Sequence, residues 1–217
     1  MIPKGLYFGD VHTYDDLGLI LSVCDIPPAK PKTTYVNVPG ADGSVDLTEA
    51  HGEVKFSDRE CSFTFTMLPD ESFTWEEKKT EVSNLVHGKV FKITLDKDED
   101  YFYEGRCVVS DVKSDKNLKQ IVVNATVKPY KFKQNVTRVE IPLTDVPKTA
   151  TVANGRKSVI PLITCTNDNT VIVFGDSTFN LSAGTHKVLD IQFVMGSNTV
   201  TVSGKGSVTF LYQEGDL

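Results

Sequence analysis

Four histidines, four cysteines and one acidic run are the residues whose chemistry would matter most if this chain were an enzyme or a metal protein. His12, His51, His87 and His186 are never spaced H-x-x-H or H-x-x-x-H, so no two imidazoles are set to share a metal across one helix turn. They read as turn or helix-end residues. Cys24, Cys61, Cys107 and Cys165 lie far apart with no C-x-x-C, which points to buried free thiols instead of a zinc knuckle or a dense disulfide framework. No G-x-S-x-G marks a hydrolase nucleophile. Asp96, Asp98, Glu99 and Asp100 carry the oxygens that calcium prefers, but counting from Asp96 the sixth position is Tyr101 where an EF-hand has glycine, and the twelfth is Cys107 where it has glutamate. The run reads as a solvated hairpin tip. Gly204-Lys205-Gly206-Ser207 shares only its last words with a phosphate loop, because Thr199 stands in the first glycine's place, and it reads as a turn. The expectation is a non-enzymatic chain with no catalytic residue, no metal and no cofactor.

Composition narrows the class further. At 217 residues the chain can bury a real core, losing about 70% of its unfolded surface on folding. It has no run of about 18 apolar residues and no charged-then-apolar leader, so neither a membrane span nor a signal peptide is expected, and synthesis in a cytoplasm is. Residues 1–131 hold 16 Lys and Arg against 22 Asp and Glu, while residues 132–217 hold 7 against 7, so the net charge of −6 belongs entirely to the first part. Without a basic stripe to neutralise phosphates, sequence-specific nucleic-acid binding is not expected.

The elements that must position any site are mostly strands. Residues 73–88, FTWEEKKTEVSNLVHG, form the one long amphipathic stretch: Thr74 and Glu77 have capping-box spacing, Gly88 sits where a left-handed residue would end the helix, and Trp75, Val82, Leu85 and Val86 share one face. Glu76, Lys78 and Lys79 point largely elsewhere. This face is expected to pack on a sheet, so that Leu85→Asp should damage folding. Cys61, Phe63, Phe65 and Met67 alternate with Ser62, Thr64 and Thr66, which predicts a half-buried strand ended by Pro69 and Asp70. Tyr35 to Asn37 and Val45 to Leu47 predict a hairpin closed by Asp42-Gly43 after a break at Pro39-Gly40. Phe91, Ile93 and Leu95 return through Tyr101 and Tyr103, a turn follows at Ser114 to Asn117, and Ile121 to Val127 add another strand.

Beyond Lys133 charge thins out and short β-rich runs alternate with turn signals, among them Asn154-Gly155, Gly175-Asp176 and Gly196 to Asn198. This predicts a β-sandwich or jelly roll with no helical period. The chain is therefore expected to be mainly β in two domains. Residues 1–132 carry the helix, and residues 133–217 form the sandwich.

FGDVHTYDDLGL at 8–19, VPGADGSVDLTEA at 38–50, the single helix ending in LVHG, KVFKITLD at 89–96 and VKPYKF at 127–132 occur in an order and spacing that resembles the N-terminal domain of the distal tail proteins (Dit) of long-tailed bacteriophages. The resemblance spans most of residues 8–132. It implies a virion structural protein at the tail tip, whose N-terminal domains close a six-fold ring, with a galectin-like sandwich as second domain. Its implied partners are further copies of itself, the tail tube protein, a tail hub or tail-associated protein and a receptor-binding protein, with no membrane. Pro39, Gly40, Asp42 and Gly43 are the candidate assembly loop, because protruding loops and open strand edges favour association. The competing expectation from the second half alone is a lectin-like module for host surface glycans.

Overall fold

The computed structural model of the chain describes residues 5–50, 52–67, 74–114 and 119–217. The strand end expected at Pro69 and Asp70, Phe73 of the helix stretch, His51 and the turn expected beyond Ser114 lie outside these residues. The fold is mainly β, with one helix among the described residues, and it divides into two compact units, Met1–Lys131 and Phe132–Leu217.

The first unit contains β1 (Leu6–Phe8), β2 (Val11–His12), β3 (Leu19–Asp25), β4 (Tyr35–Asn37), β5 (Ser44–Asp46), β6 (Arg59–Met67), α1 (Trp75–Val86), β7 (Val90–Leu95), β8 (Asp98–Ser114) and β9 (Lys119–Val127). An antiparallel sheet runs β2-β1-β7-β8-β9-β6-β3, while β4 and β5 pair only with each other. The alternation read in β6 is the burial pattern observed: Cys61, Phe63, Phe65 and Met67 face the core with Ile121, Val123, Ala125 and Val127 of β9. Gly105 on β8 is required by the close approach of β9, since a Cβ there would come within 2.2 Å of the Thr126 carbonyl oxygen.

Helix α1 begins as its sequence dictates. Thr74 Oγ1 accepts from the Glu77 amide at 3.3 Å and Glu77 Oε2 accepts from the Thr74 amide at 2.9 Å, so two otherwise orphaned donors are satisfied reciprocally. The same backbone bond, with the Thr74 hydroxyl, holds the Glu77 carboxyl below its usual range. Gly88 follows the cap with φ +78°. Trp75, Val82 and Val86 enter the core cluster and Leu85 packs partly buried against it. Lys78, expected to point elsewhere, is only 5% exposed. Its long aliphatic stem covers apolar surface while Nζ reaches Glu81 Oε2 at 2.6 Å, so the buried stripe holds a paired cation.

The second unit holds β11 (Thr137–Pro142), β12 (Lys148–Asn154), β13 (Leu162–Cys165), β14 (Thr170–Phe174), β15 (Ser177–Leu181), β16 (Gly184–His186), β17 (Gly196–Ser203), β18 (Ser207–Tyr212) and β19 (Gly215–Asp216), and β10 (Lys131–Lys133) spans the division. Two four-stranded sheets, β11-β18-β13-β16 and β12-β17-β14-β15, share one core of Ile163, Ile172, Phe193, Val200, Val208 and Phe210 and thus make a β-sandwich. Gly196 to Asn198 was expected as a turn and instead opens β17. Asn198 is buried there because it closes its own network: Oδ1 accepts from the Val194 amide at 2.9 Å and Nδ2 donates to the Val194 carbonyl at 2.8 Å.

All four cysteines are free, and Cys61, Cys107 and Cys165 are buried. Burial pushes the Cys61 thiol up to about 11 and the Cys107 thiol up to about 12 from an ordinary 9.0. A raised folded pKa gives stability that is complete below the unfolded value and disappears as pH climbs through the folded one. The stability of the first unit, read by urea unfolding, is therefore expected to fall between pH 9 and about 12, by at most about 1.4 kcal/mol per pH unit for each thiol, with Cys107→Ala flattening that dependence.

Candidate assembly surface

Within the segment joining β3 to β6, residues 30–47 leave the sheet and stay in solvent. Every residue from 30 to 47 is exposed. Its two limbs meet at the base through Lys32 N–H to the Lys55 carbonyl at 2.7 Å and Ser57 N–H to the Lys30 carbonyl at 2.9 Å. Farther out β4 and β5 pair in the register Tyr35↔Asp46, Val36↔Val45 and Asn37↔Ser44. Leu47 N–H extends the ladder to the Thr34 carbonyl, and Ser44 Oγ donates to Asn37 Oδ1 at 2.6 Å. Because side chains alternate, Val36 and Val45 share a face with Val38 and Leu47, and Tyr35, Asn37, Ser44 and Asp46 take the other. Val36 is 43% exposed and Val45 is 49% exposed, so an apolar ribbon face lies open. A lone two-stranded ribbon is marginal in water, which makes this open face a candidate interaction surface.

The tip differs from the two-residue turn expected at Asp42-Gly43. Residues 38–43 form the connection, and the tight turn is at Pro39-Gly40, where Ala41 N–H donates to the Val38 carbonyl at 3.1 Å and Gly40 has φ +84°. Proline at the second position and a left-handed glycine at the third are what a type II turn demands. Gly43, φ +78°, then leads the chain into β5. Pro39, Gly40, Asp42 and Gly43 are therefore brought together at the end of the arm.

An acid–base cluster sits elsewhere in the first unit and was missed from sequence. His12, 6% exposed on β2, places Nδ1 2.6 Å from Asp15 Oδ2 and Nε2 3.1 Å from Asp96 Oδ1, while Asp96 Oδ2 accepts from the Gly5 amide at 2.8 Å. The H-x-x-D spacing of His12 and Asp15 was a readable signal; Asp96, 84 residues away, was not. The expected solvated tip shrinks accordingly, for only Asp96 and Lys97 form the turn and Asp98 already pairs with Leu95 and binds Lys131 at 2.7 Å. No group of three or more His, Cys, Asp or Glu suited to a metal occurs among the described residues. The cluster's geometry ties the β2 end to the β7–β8 turn. His12→Ala should lower stability by about 1–3 kcal/mol, read by urea unfolding, because it removes a buried imidazole that bonds Asp96, whose side chain is only 20% exposed.

Neither a protein-family sequence model nor a curated protein matches the sequence. Solved structures do match. The crystal structure of the Dit protein of phage SPP1, described as a paradigm of the hub adsorption apparatus in phages infecting Gram-positive bacteria, superposes with a TM-score of 0.70 over 98% of this chain and 99% of that one, at 13% identity. The fold is that of a phage distal tail protein. A chain of the phage p2 baseplate in its activated conformation matches at TM-score 0.39 and 8% identity, over 90% of this chain and 91% of that one, too distant a likeness to carry weight.

His87 is the C-cap residue of α1, a helix-end position, and its Nδ1 accepts from the Val109 amide at 3.2 Å. His186 Nε2 lies 2.9 Å from the Ser182 carbonyl. Cys24 lines a 170 Å³ recess with Gly5, Leu21, Ser22, Leu95 and Lys97. Burial raises its thiol pKa against the opposing pull of Lys97, the reverse of an activated nucleophile. No helix among the described residues is long and apolar enough to cross a membrane.

Proposed function

We propose that this chain is a structural, non-enzymatic component of a phage or prophage tail tip, made in the host cytoplasm and built into the virion. Six copies close into a ring that joins the tail tube to a hub or tail-associated protein and, through it, to a receptor-binding protein. The single observation that carries this reading is the open apolar face of the β4–β5 arm on a chain with the distal-tail fold. The mechanism is geometric. A head-to-tail contact repeated by a rotation that closes yields a ring and presents six identical surfaces above and below. An arm that reaches out of its own subunit suits such a contact, since it can lay Val36, Val38, Val45 and Leu47 on the neighbouring copy. The sandwich of the second unit is free to take the galectin-like role of an outward-facing domain.

Sedimentation velocity and negative-stain microscopy of the full chain test this directly. The expected result is a six-fold ring, formed alone or on adding the tail tube or hub protein from the same genome. A chain that stays monomeric at every concentration and joins neither protein would overturn it.

A further inference from the structure

The contacts around the His12 ring cannot all be made in one protonation state. Nε2 stands 3.1 Å from Asp96 Oδ1, and a carboxylate has only lone pairs to offer, so Nε2 must carry a hydrogen. Nδ1 is claimed twice. It lies 2.6 Å from Asp15 Oδ2, which needs a hydrogen on Nδ1, and 3.2 Å from the Asp15 amide, which needs a bare lone pair there. We infer that His12 is a proton-operated clasp on the turn that follows it. The imidazolium grips the Asp15 carboxylate, whereas the neutral ring, as its Nε2–H tautomer, releases that carboxylate to solvent and accepts from the Asp15 amide instead. Ring formation plays no part in it.

The surroundings of the ring hold in both states. Asp16 Oδ2 accepts from the His12 amide at 2.7 Å, and the Asp16 and Gly18 amides donate to the His12 and Tyr14 carbonyls, which fixes the backbone of the turn between β2 and β3. Gly5 packs so closely that a Cβ on it would come within 2.7 Å of His12 Nε2, while its amide donates to Asp96 Oδ2 at 2.8 Å. The Tyr7 ring lies against the imidazole with centroids 4.5 Å apart. His12 is thus hemmed in, its side chain 8% exposed. The Asp15 side chain is 68% exposed, so it is the partner free to move.

The titratable groups that face His12 are Tyr7 from β1, Asp15 and Asp16 from the turn, and Asp96 from the turn between β7 and β8. Lys97, beside Asp96, lines the recess with Gly5 and Cys24. Among these side chains imidazole is the type whose charge ordinarily changes between about pH 5 and 8. The sign follows from the geometry. The Asp15 bond is present while the ring is protonated and is lost as pH rises through the ring's titration, whereas the Asp96 bond survives. Above that point the exposed turn gains a free carboxylate at Asp15 and keeps its tie to the sheet.

NMR of the full chain labelled at histidine and aspartate tests the clasp, with His12 assigned by elimination through His51→Gln, His87→Gln and His186→Gln. At about pH 8.5 the ring nitrogens should show the Nε2–H tautomer. On lowering to about pH 5.5, still above the carboxylate range, Nδ1 should gain its proton and the Asp15 carboxyl carbon should shift in the same step. Asp15→Ala removes an exposed carboxylate and keeps the amide, so it should fold. Its loss of stability in urea should be present at about pH 5.5 and gone or reversed at about pH 8.5. The inference is overturned by an Nδ1–H tautomer at the higher pH, by an Asp15 carboxyl signal that ignores the ring's titration, or by an Asp15→Ala effect equal at both pH values.

Discussion

Val86→Asp should leave the first unit unfolded, with the amide dispersion and cooperative thermal transition of that unit lost. Val86 is 0% exposed and packs within the cluster that unites α1 with β1, β6, β7, β8 and β9. A carboxylate there would be a charge buried in an apolar cluster, and an unpaired buried charge costs about 3–5 kcal/mol or more. That is a large share of the roughly 5–15 kcal/mol that holds a domain together. Leu85 is the instructive contrast. It is partly buried and packs at the edge of the same cluster, so an aspartate can turn towards water, and Leu85→Asp should fold with a lowered midpoint. Equal damage from both substitutions would mean that the helix is buried on more sides than the fold shows.

The paired change Val36→Asp with Val45→Asp should do the opposite, sparing the fold and abolishing assembly. Both side chains already face solvent across from each other on the arm, and surface changes of this kind usually shift stability within about 0.5 kcal/mol. If the arm's apolar face is the contact between copies, two carboxylates would be driven into it, weakening association on the order of 100-fold. Sedimentation should then show a monomer with an unchanged melting curve. Rings that persist in this variant would move the contact away from the arm. Pro39→Ala and Gly40→Ala probe the tip separately, because Gly40's left-handed backbone resists a side chain while Pro39 only pre-sets the turn.

Much of the architecture was legible because its causes are local. The Thr74–Glu77 cap, Gly88 at the helix end and the alternation in β6 and β9 each depend on residues a few positions apart, and the structure reproduces them. Errors arose where locality failed. Lys78 looked solvent-bound because charge dominates its side chain in sequence, yet its stem is what the core meets. Asn198 looked like turn punctuation beside Gly196, yet a buried carboxamide with satisfied donors is a core residue. The hairpin tip was assigned to Asp42-Gly43 on the strength of a common turn pair, while Pro39-Gly40, read as a mere break, made the tight turn.

The sequence by itself determined the strand-rich class, the helix with its cap, the free thiols and the lack of familiar catalytic spacing. These follow from periodicity, capping chemistry and counting. Only the tertiary structure decided that His12 meets Asp96 and above all that residues 30–47 stand clear of the sheet. An alternating strand reads the same whether its apolar face lies on its own core or in open solvent. What settles the matter is which surfaces remain after the sheet has closed on α1, and that is a property of the whole packed unit.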